Sequence, residues 1–489
     1  LGVDVPLHAA EHYYIVTRPI EGVLRNQPVL RDMDGYIYIK EEVGGLVLGG
    51  FEPHAKPWGM EGIPDGFEFQ ALPEDWDQFE VFMNTGLERI PALAEAEIRQ
   101  LFVGPESFTP DNRYILGEAP DLRRLYVAAG FNSIGIQSAG GAGKALAEWI
   151  VADAPTMDLA ELDIRRFHRF ERNRAYLFDR TKESLGLLYA MHWPFRQPET
   201  GRGARRSPFH DRLEARGACF GVTMGWERPM WFAGEAQLAT YTYGWRRTPW
   251  FDNWAQEHLA TREAVGLFDM SSFAKFRVEG PDAEAVLQDL CTCDAAIEPG
   301  QVRYTQWLNA NGGIEADLTI SRLDWETYLV VTGAAVAGRD FTWLKRHIGE
   351  RRAVATDVTS GVSSLGLMGP RSRDLLAVLS GDDVSDNAVP YRGAAEIEIG
   401  YAPVRAVRIS YMGELGYELY AATEFAQHLF DRIAEAGADF GLSMAGYHAM
   451  DSLRQEKGFR HWGHDIGIED NPLEAGLGFA VDWNAEFIG

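Results

Sequence analysis

Apolar and polar positions alternate over residues 36–51 (YIYIKEEVGGLVLGGF), where EEVGG supplies a turn between two runs, and residues 11–18 (EHYYIVTR) are rich in β-formers. Period-two alternation of β-branched and aromatic residues predicts strands, so the opening segment is mainly sheet. The period then lengthens, and Phe79, Phe82, Met83, Leu87 and Ile90 fall on one face of a helix. IRQLFVG reads as a strand entering a loop, PESFTPDNR, and RRLYVAAG as a short buried strand that ends at Gly130. From there FNSIGIQSAGGAGKALAEWIVA predicts a Gly-rich turn that runs into a helix through Trp149.

The pattern breaks over 154–215, where RRFHRFERNR and RQPETGRGARRSPF carry the charge, Pro and Gly expected of a connector. Beyond it, segments such as DLTISRLDWETYLVVTG and EFAQHLFDRIAEAG alternate strand-like and helix-like periods, which predicts an α+β unit. The expected fold is therefore multidomain, α/β and α+β: a first domain over 1–153, a connector over 154–215 and a second domain over 216–489.

Length and charge narrow the partners. At roughly 150 residues per domain, 489 residues leave room for about three cored units. Lys plus Arg number 46 against 72 Asp plus Glu, and the resulting charge of −26 opposes a nucleic acid or an anionic membrane as the main partner. No apolar run approaches the ~18 residues of a membrane span. Three cysteines, two of them one residue apart (Cys291 and Cys293), point to a reducing compartment, the cytoplasm or, in a eukaryote, the mitochondrial matrix. The chain opens on Leu and stops at WNAEFIG, which reads as an internal fragment of a longer protein.

Two constellations carry chemistry. In the first, glycines 130, 135, 140, 141 and 143 let backbone approach a ligand closely, and the following helix presents free N–H groups to an electron-rich group. The same glycines also suit a helix packed tightly through small residues. Ser138 and Ala145 stand where a Walker loop needs Gly and Ser or Thr, and G-x-G-x-x-G does not occur in a strand-turn-helix setting.

GPESFTPDNRYILGEAP, LYVAAGFNSIGI and GGAGKALAEWI together resemble the closing segment of the D-amino-acid-oxidase-like flavoproteins. EHYYIVT, RDMDGYIYIKEE, GGFEPHAKPW and LDIRRF resemble the dimethylglycine and sarcosine dehydrogenase branch, and the likeness covers about 1–215. It implies FAD as cofactor, with contacts from Gly104, Pro105, Ser107, Asn132, Gly135 and Ile136, and with the ADP-binding first half of the flavin domain missing. It also implies that His12 and a Tyr, Tyr38 or its strand neighbour Tyr36, flank a substrate amine. An imidazole titrates near neutrality and suits removal of the proton from an N-methyl ammonium before hydride can leave.

In the second constellation, VRYTQWLNANGGIEADLTISRL places Tyr304 and Asp317 on one predicted hairpin. With DMSSFAKFRVEG and RISYMGELGYELY, this interval resembles the glycine-cleavage T-protein, a tetrahydrofolate aminomethyltransferase, from about 255 to the end. The resemblance implies tetrahydrofolate as a second cofactor, Asp317 beside its reactive nitrogens, Tyr304 and Tyr411 as walls, and Glu418 on the pterin. Met450 in YHAMDSLRQEKG stands where T-proteins carry an Arg, and the barrel that closes such domains is missing.

HWGHD (His461, His464, Asp465) lacks a third convergent ligand, and no metal is expected. The Trp-rich stretch from Gly225 to Ala255 is expected to pack between domains. The two resemblances together imply FAD-dependent oxidative demethylation of a small N-methyl amine, an N-methylated glycine of the dimethylglycine or sarcosine type. The one-carbon unit would pass to tetrahydrofolate and the electrons to oxygen or a carrier protein. The alternative is a folate-binding, aminomethyltransferase-like protein whose flavin half is degenerate.

Overall fold

The computed structural model describes residues 2–489, which divide between Arg202 and Gly203 into two compact units. No helix among the described residues is long and apolar enough to cross a membrane.

The first unit is built on a five-stranded antiparallel sheet of β1 (His8–Thr17), β2 (Leu30–Asp32), β3 (Ile37–Glu42), β4 (Gly45–Gly50) and β5 (Ile98–Phe108), in the order β2-β3-β4-β1-β5. Alternation sends Tyr13, Ile15, Ile37, Ile39, Leu46, Leu48, Leu101 and Val103 to one face. There they pack under Phe79 and Phe82 of α1 (Trp76–Arg89), which starts where the Asp75 carboxylate accepts the Gln78 N–H at 3.0 Å. The other face carries His12, Tyr14, Tyr38, Gly49, Phe102 and Gly104. Beyond β5, β6 (Ile115–Glu118) and β7 (Tyr126–Ala129) form a two-stranded sheet, followed by α2 (Gly135–Ala152) and α3 (Arg174–Ser184).

Three sequence expectations change. PESF is strand, not loop: β5 pairs with β1 through Phe108, and Pro105 is tolerated because β5 is the edge of the sheet. β7 is not buried, because it pairs with β6 alone and a two-stranded sheet leaves its faces open. Tyr36 does not share a face with Tyr38. It precedes β3 with φ of 61°, which breaks the alternation and turns its ring to the apolar cluster of the opposite face.

Residues 154–202 are held on the first unit by apolar anchors, Leu185 among Ala10, Ala55 and Phe108 and Leu159 against Ala145 and Trp149, and by hydrogen bonds. Arg166 reaches both oxygens of Asp111, Arg180 donates twice to the Pro110 carbonyl, and the Ala55 N–H donates to the Lys182 carbonyl at 2.9 Å.

The second unit holds a six-stranded and a five-stranded sheet, each over its own core. The first runs, edge to edge, Ala394–Ile399, Ala402–Val407, Gly416–Ala422, Val362–Met368, Val265–Asp269 and Leu442–Met444. The second runs Val302–Leu308, Ile314–Asp324, Thr327–Thr332, Ala274–Glu279 and Val354–Asp357. A smaller three-stranded sheet carries Trp226–Phe232, and the aromatic stretch packs inside this unit, Trp231 against Trp250 at 6.0 Å. Met450 is buried among Phe268, Met270, Met368 and Met412, an apolar setting with no place for a guanidinium.

Candidate functional site

In the first unit the open face of the sheet gathers the predicted amine-binding residues. His12 sits opposite Gly104 in the β1–β5 ladder, its ring stacked on Phe51 at 5.3 Å with the edge of Phe108 at 6.4 Å. Tyr38, Gly49 and Tyr14 form one row across three strands. Gly49 is the space for Tyr38: a Cβ there would lie 2.5 Å from the phenol ring and hydroxyl. Burial, then the charge of Glu52, push the Tyr38 phenol far above its ordinary range, so it remains a neutral hydrogen-bond donor.

We expect Gly49→Ala in the full-length protein to displace Tyr38 and lower kcat/KM for the amine by about 10- to 100-fold. The far-ultraviolet circular dichroism should be unchanged.

Glu52, which sequence reasoning did not nominate, holds His12. Its Oε2 lies 3.1 Å from Nδ1 of His12, the carboxylate is fully buried, and its Oε1 has no hydrogen-bond partner among the described residues. Burial alone would lower the His12 pKa. The charge and hydrogen bond of Glu52, with Glu106 further off, outweigh it and leave the pKa raised. The available signal was a lone acid closing the apolar run GLVLGGF.

The residues expected at a flavin divide. Gly104 shares the His12 face, while Pro105 and Ser107 alternate to the other side of β5. Asn132 is buried with φ of 49°, and its side chain is spent on Thr109: its Oδ1 accepts the backbone N–H at 2.9 Å and its Nδ2 donates to the hydroxyl at 3.1 Å. It therefore joins the two segments that were expected to meet the ring. Gly135 opens α2 without a side-chain cap, and Ile136 in the first turn is 98% exposed. A Cβ on Gly140, Gly141 or Gly143 would meet nothing within 4 Å. Free N–H groups, an exposed apolar side chain and bare helix surface fit a flat ring with an electron-rich edge.

In the second unit Val302–Leu308 and Ile314–Asp324 form the predicted hairpin, with Gln306 opposite Asp317 and Tyr304 opposite Thr319. All four therefore share one face, while Trp307, Leu318 and Ile320 enter the core behind. Asp317 accepts the Gln306 amide N–H at 2.8 Å, and the buried Gln306 Oε1 is left without a partner among the described residues. Burial pushes the Asp317 carboxyl up to about 6, against hydrogen bonds from Tyr304 and Gln306 that pull it down. Tyr304 stacks with Phe479 at 6.1 Å.

Tyr411 lies within electrostatic reach of Asp317, and its hydroxyl donates to the Arg460 carbonyl at 2.8 Å. This ties it to the HWGHD turn, where Arg454 pairs with Asp465. Glu418 belongs to a second buried group, where the Tyr420 hydroxyl donates to it and the fully buried Lys275 lies near. Burial raises Glu418 and lowers Lys275 to about 8. A carboxylate, an orphaned amide oxygen and aromatic walls fit the donor edge and ring of a pterin.

Known proteins share this arrangement of segments. Residues 209–485 match the family model of the GCVT N-terminal domain. Residues 153–207 match that of the FAD dependent oxidoreductase central domain, and 1–149 that of the FAD dependent oxidoreductases. The chain is 46% identical over 480 residues to a 4-methylaminobutanoate oxidase (formaldehyde-forming) of Paenarthrobacter nicotinovorans, covering 98% of this chain and 58% of that protein. It is 36% identical over 518 residues to the mitochondrial sarcosine dehydrogenase of Mus musculus, covering 98% and 56%. Among solved structures, the glycine cleavage system aminomethyltransferase T from Bartonella henselae superposes with a TM-score of 0.50 at 29% identity, over 58% of this chain and 72% of that one. The chain thus spans between half and three-fifths of the length of these curated relatives.

Proposed function

Since the chain belongs to the family that joins an FAD-dependent oxidoreductase to a glycine-cleavage T-protein domain, we propose that the whole protein oxidises an N-methylated amino acid and passes the methyl carbon to tetrahydrofolate. The observation that carries this reading is that His12, Tyr14 and Tyr38 share one open sheet face, with Gly104 opposite His12. The flavin, when bound, accepts the hydride of the methyl carbon. The chain's own groups do the rest.

His12 takes the proton from the substrate ammonium, because a protonated amine holds no lone pair to expel hydride. Tyr38 donates to the substrate and sets the methyl group's direction. The product is an iminium ion. In the second unit, Asp317 would hold the reactive nitrogens of a bound tetrahydrofolate, where an ionised carboxylate would stabilise the positive charge that develops as the carbon is captured.

An N-methyl group on a short amino acid is the substrate class. The likeness to the 4-methylaminobutanoate oxidase and to sarcosine dehydrogenase sets the candidates to compare. The test is steady-state turnover of the full-length protein on 4-methylaminobutanoate, sarcosine and dimethylglycine, with and without tetrahydrofolate. Oxidation of at least one, with free formaldehyde falling when tetrahydrofolate is added, supports the reading. A colourless protein that binds tetrahydrofolate and oxidises none of them replaces it with the folate-binding alternative.

A further inference from the structure

We infer that Glu52 is a positioning residue of the oxidation site: its carboxylate holds the Nδ1–H of His12 and so fixes the tautomer whose bare Nε2 accepts the substrate's proton. The inference rests on reading the His12 face as the amine-binding surface. The geometry carries it. A carboxylate can only accept, so the 3.1 Å contact between Glu52 Oε2 and His12 Nδ1 places the ring proton on Nδ1 and leaves the lone pair on Nε2. Phe51 stacks on the ring's face and Phe108 faces it edge-on, contacts that oppose exchange of the two nitrogens.

Glu52 is fully buried. A buried carboxylate with one oxygen unpartnered is costly unless a positive charge forms beside it. His12 supplies that charge. The substrate N–H bond breaks, its electron pair stays on the amine nitrogen, and an Nε2–H bond forms. The resulting imidazolium lies against Glu52. The raised His12 pKa is the same balance seen in the resting protein, where Glu52 more than offsets burial.

The other titratable groups facing this ring are few. From β5, Glu106 contributes a weaker attraction, and its Oε2 already accepts the Ser133 hydroxyl at 2.8 Å. The phenols of Tyr14 and Tyr38 lie on the same face, and Tyr189 packs on Phe51 at 4.8 Å. Glu106→Gln is therefore the control for a general loss of negative charge.

The test combines two measurements on the full-length protein. In the first, protein labelled with 15N-histidine is titrated by NMR, with the His12 signals assigned by their loss in His12→Asn. The ring shifts should show Nδ1 carrying the proton in the neutral form. The His12 pKa should fall by at least one unit in Glu52→Gln, and by much less in Glu52→Asp or Glu106→Gln. In the second, kcat/KM is followed against pH. The acid limb should move to lower pH in Glu52→Gln, with kcat/KM at neutral pH falling about 100-fold, and should return towards wild type in Glu52→Asp.

A neutral His12 that carries its proton on Nε2 in the wild type overturns the inference, whether or not Glu52→Gln folds. So does an unmoved titration in Glu52→Gln. Failure of the wild type to oxidise any N-methyl amine would instead strike the functional reading, since the tautomer is read without turnover.

Discussion

Asp317→Ala in the full-length protein should leave reduction of the flavin by substrate unchanged while abolishing capture of the one-carbon unit, so that formaldehyde appears even with tetrahydrofolate saturating. The expected fall in methylene-tetrahydrofolate formation is about 100- to 1,000-fold, the range for removing one electrostatic stabiliser of a developing charge. Stopped-flow absorbance reads the first half and a formaldehyde assay the second. A matching collapse of flavin reduction would show that the two units do not divide the work this way. The pH dependence follows from the same group. With its carboxyl at about 6, Asp317 is ionised above that pH and neutral below it. Capture should therefore weaken as the pH drops through 6, with amine oxidation following the separate limb set by His12.

Holding Asp317 ready also costs stability at neutral pH. Its folded-state carboxyl titrates at about 6 against an ordinary 3.8. The folded state therefore binds the proton more tightly than the unfolded chain, and the stability this contributes is lost as the pH rises through that window. Asp317→Asn should melt at a higher temperature than the wild type above pH 6, and the gain should shrink towards pH 4. Such a gain on neutralising a carboxylate set beside Tyr304, Gln306 and Tyr411 would be the stability cost expected of a group retained for chemistry.

Much of this arrangement was legible because both sites sit on strands, and alternation fixes which side chains share a face. Alternation and a Gly-Gly turn suggest the hairpin that presents Tyr304 and Asp317, and the T-protein resemblance singles out those two side chains on it. What was not legible depends on single torsions or on pairing across the sheet. Tyr36 reads as Tyr38's neighbour until its φ of 61° turns it away. Pro105 reads as a loop residue until β5 proves to be an edge strand. Residues 154–202 show no hydrophobic periodicity because their apolar anchors, such as Leu159 and Leu185, are single side chains on short irregular turns and helices, set among polar ties such as Arg180 on the Pro110 carbonyl. Glu52 was hidden for another reason: a buried acid acquires a role only from its partner, and His12 lies 40 positions earlier in the chain.

His12→Asn is the second large effect. Asparagine keeps a polar group of similar reach at the start of the sheet but has no site that accepts a proton near neutral pH. General-base assistance of this kind contributes 100- to 10,000-fold, so kcat/KM should fall by about that much while the protein still binds its flavin. The loss should be largest at neutral pH. Raising the pH lets solvent deprotonate the substrate amine instead, so the variant's rate should climb towards that amine's own pKa with no acid limb from an imidazole. Deprotonation by solvent replaces the base but not the orientation, so Tyr38→Phe should lower the rate at every pH by a similar factor. The two substitutions separate the jobs assigned to this face. One variant is rescued by alkali and the other is not, and if both respond alike, His12 and Tyr38 share a single role in orienting the amine.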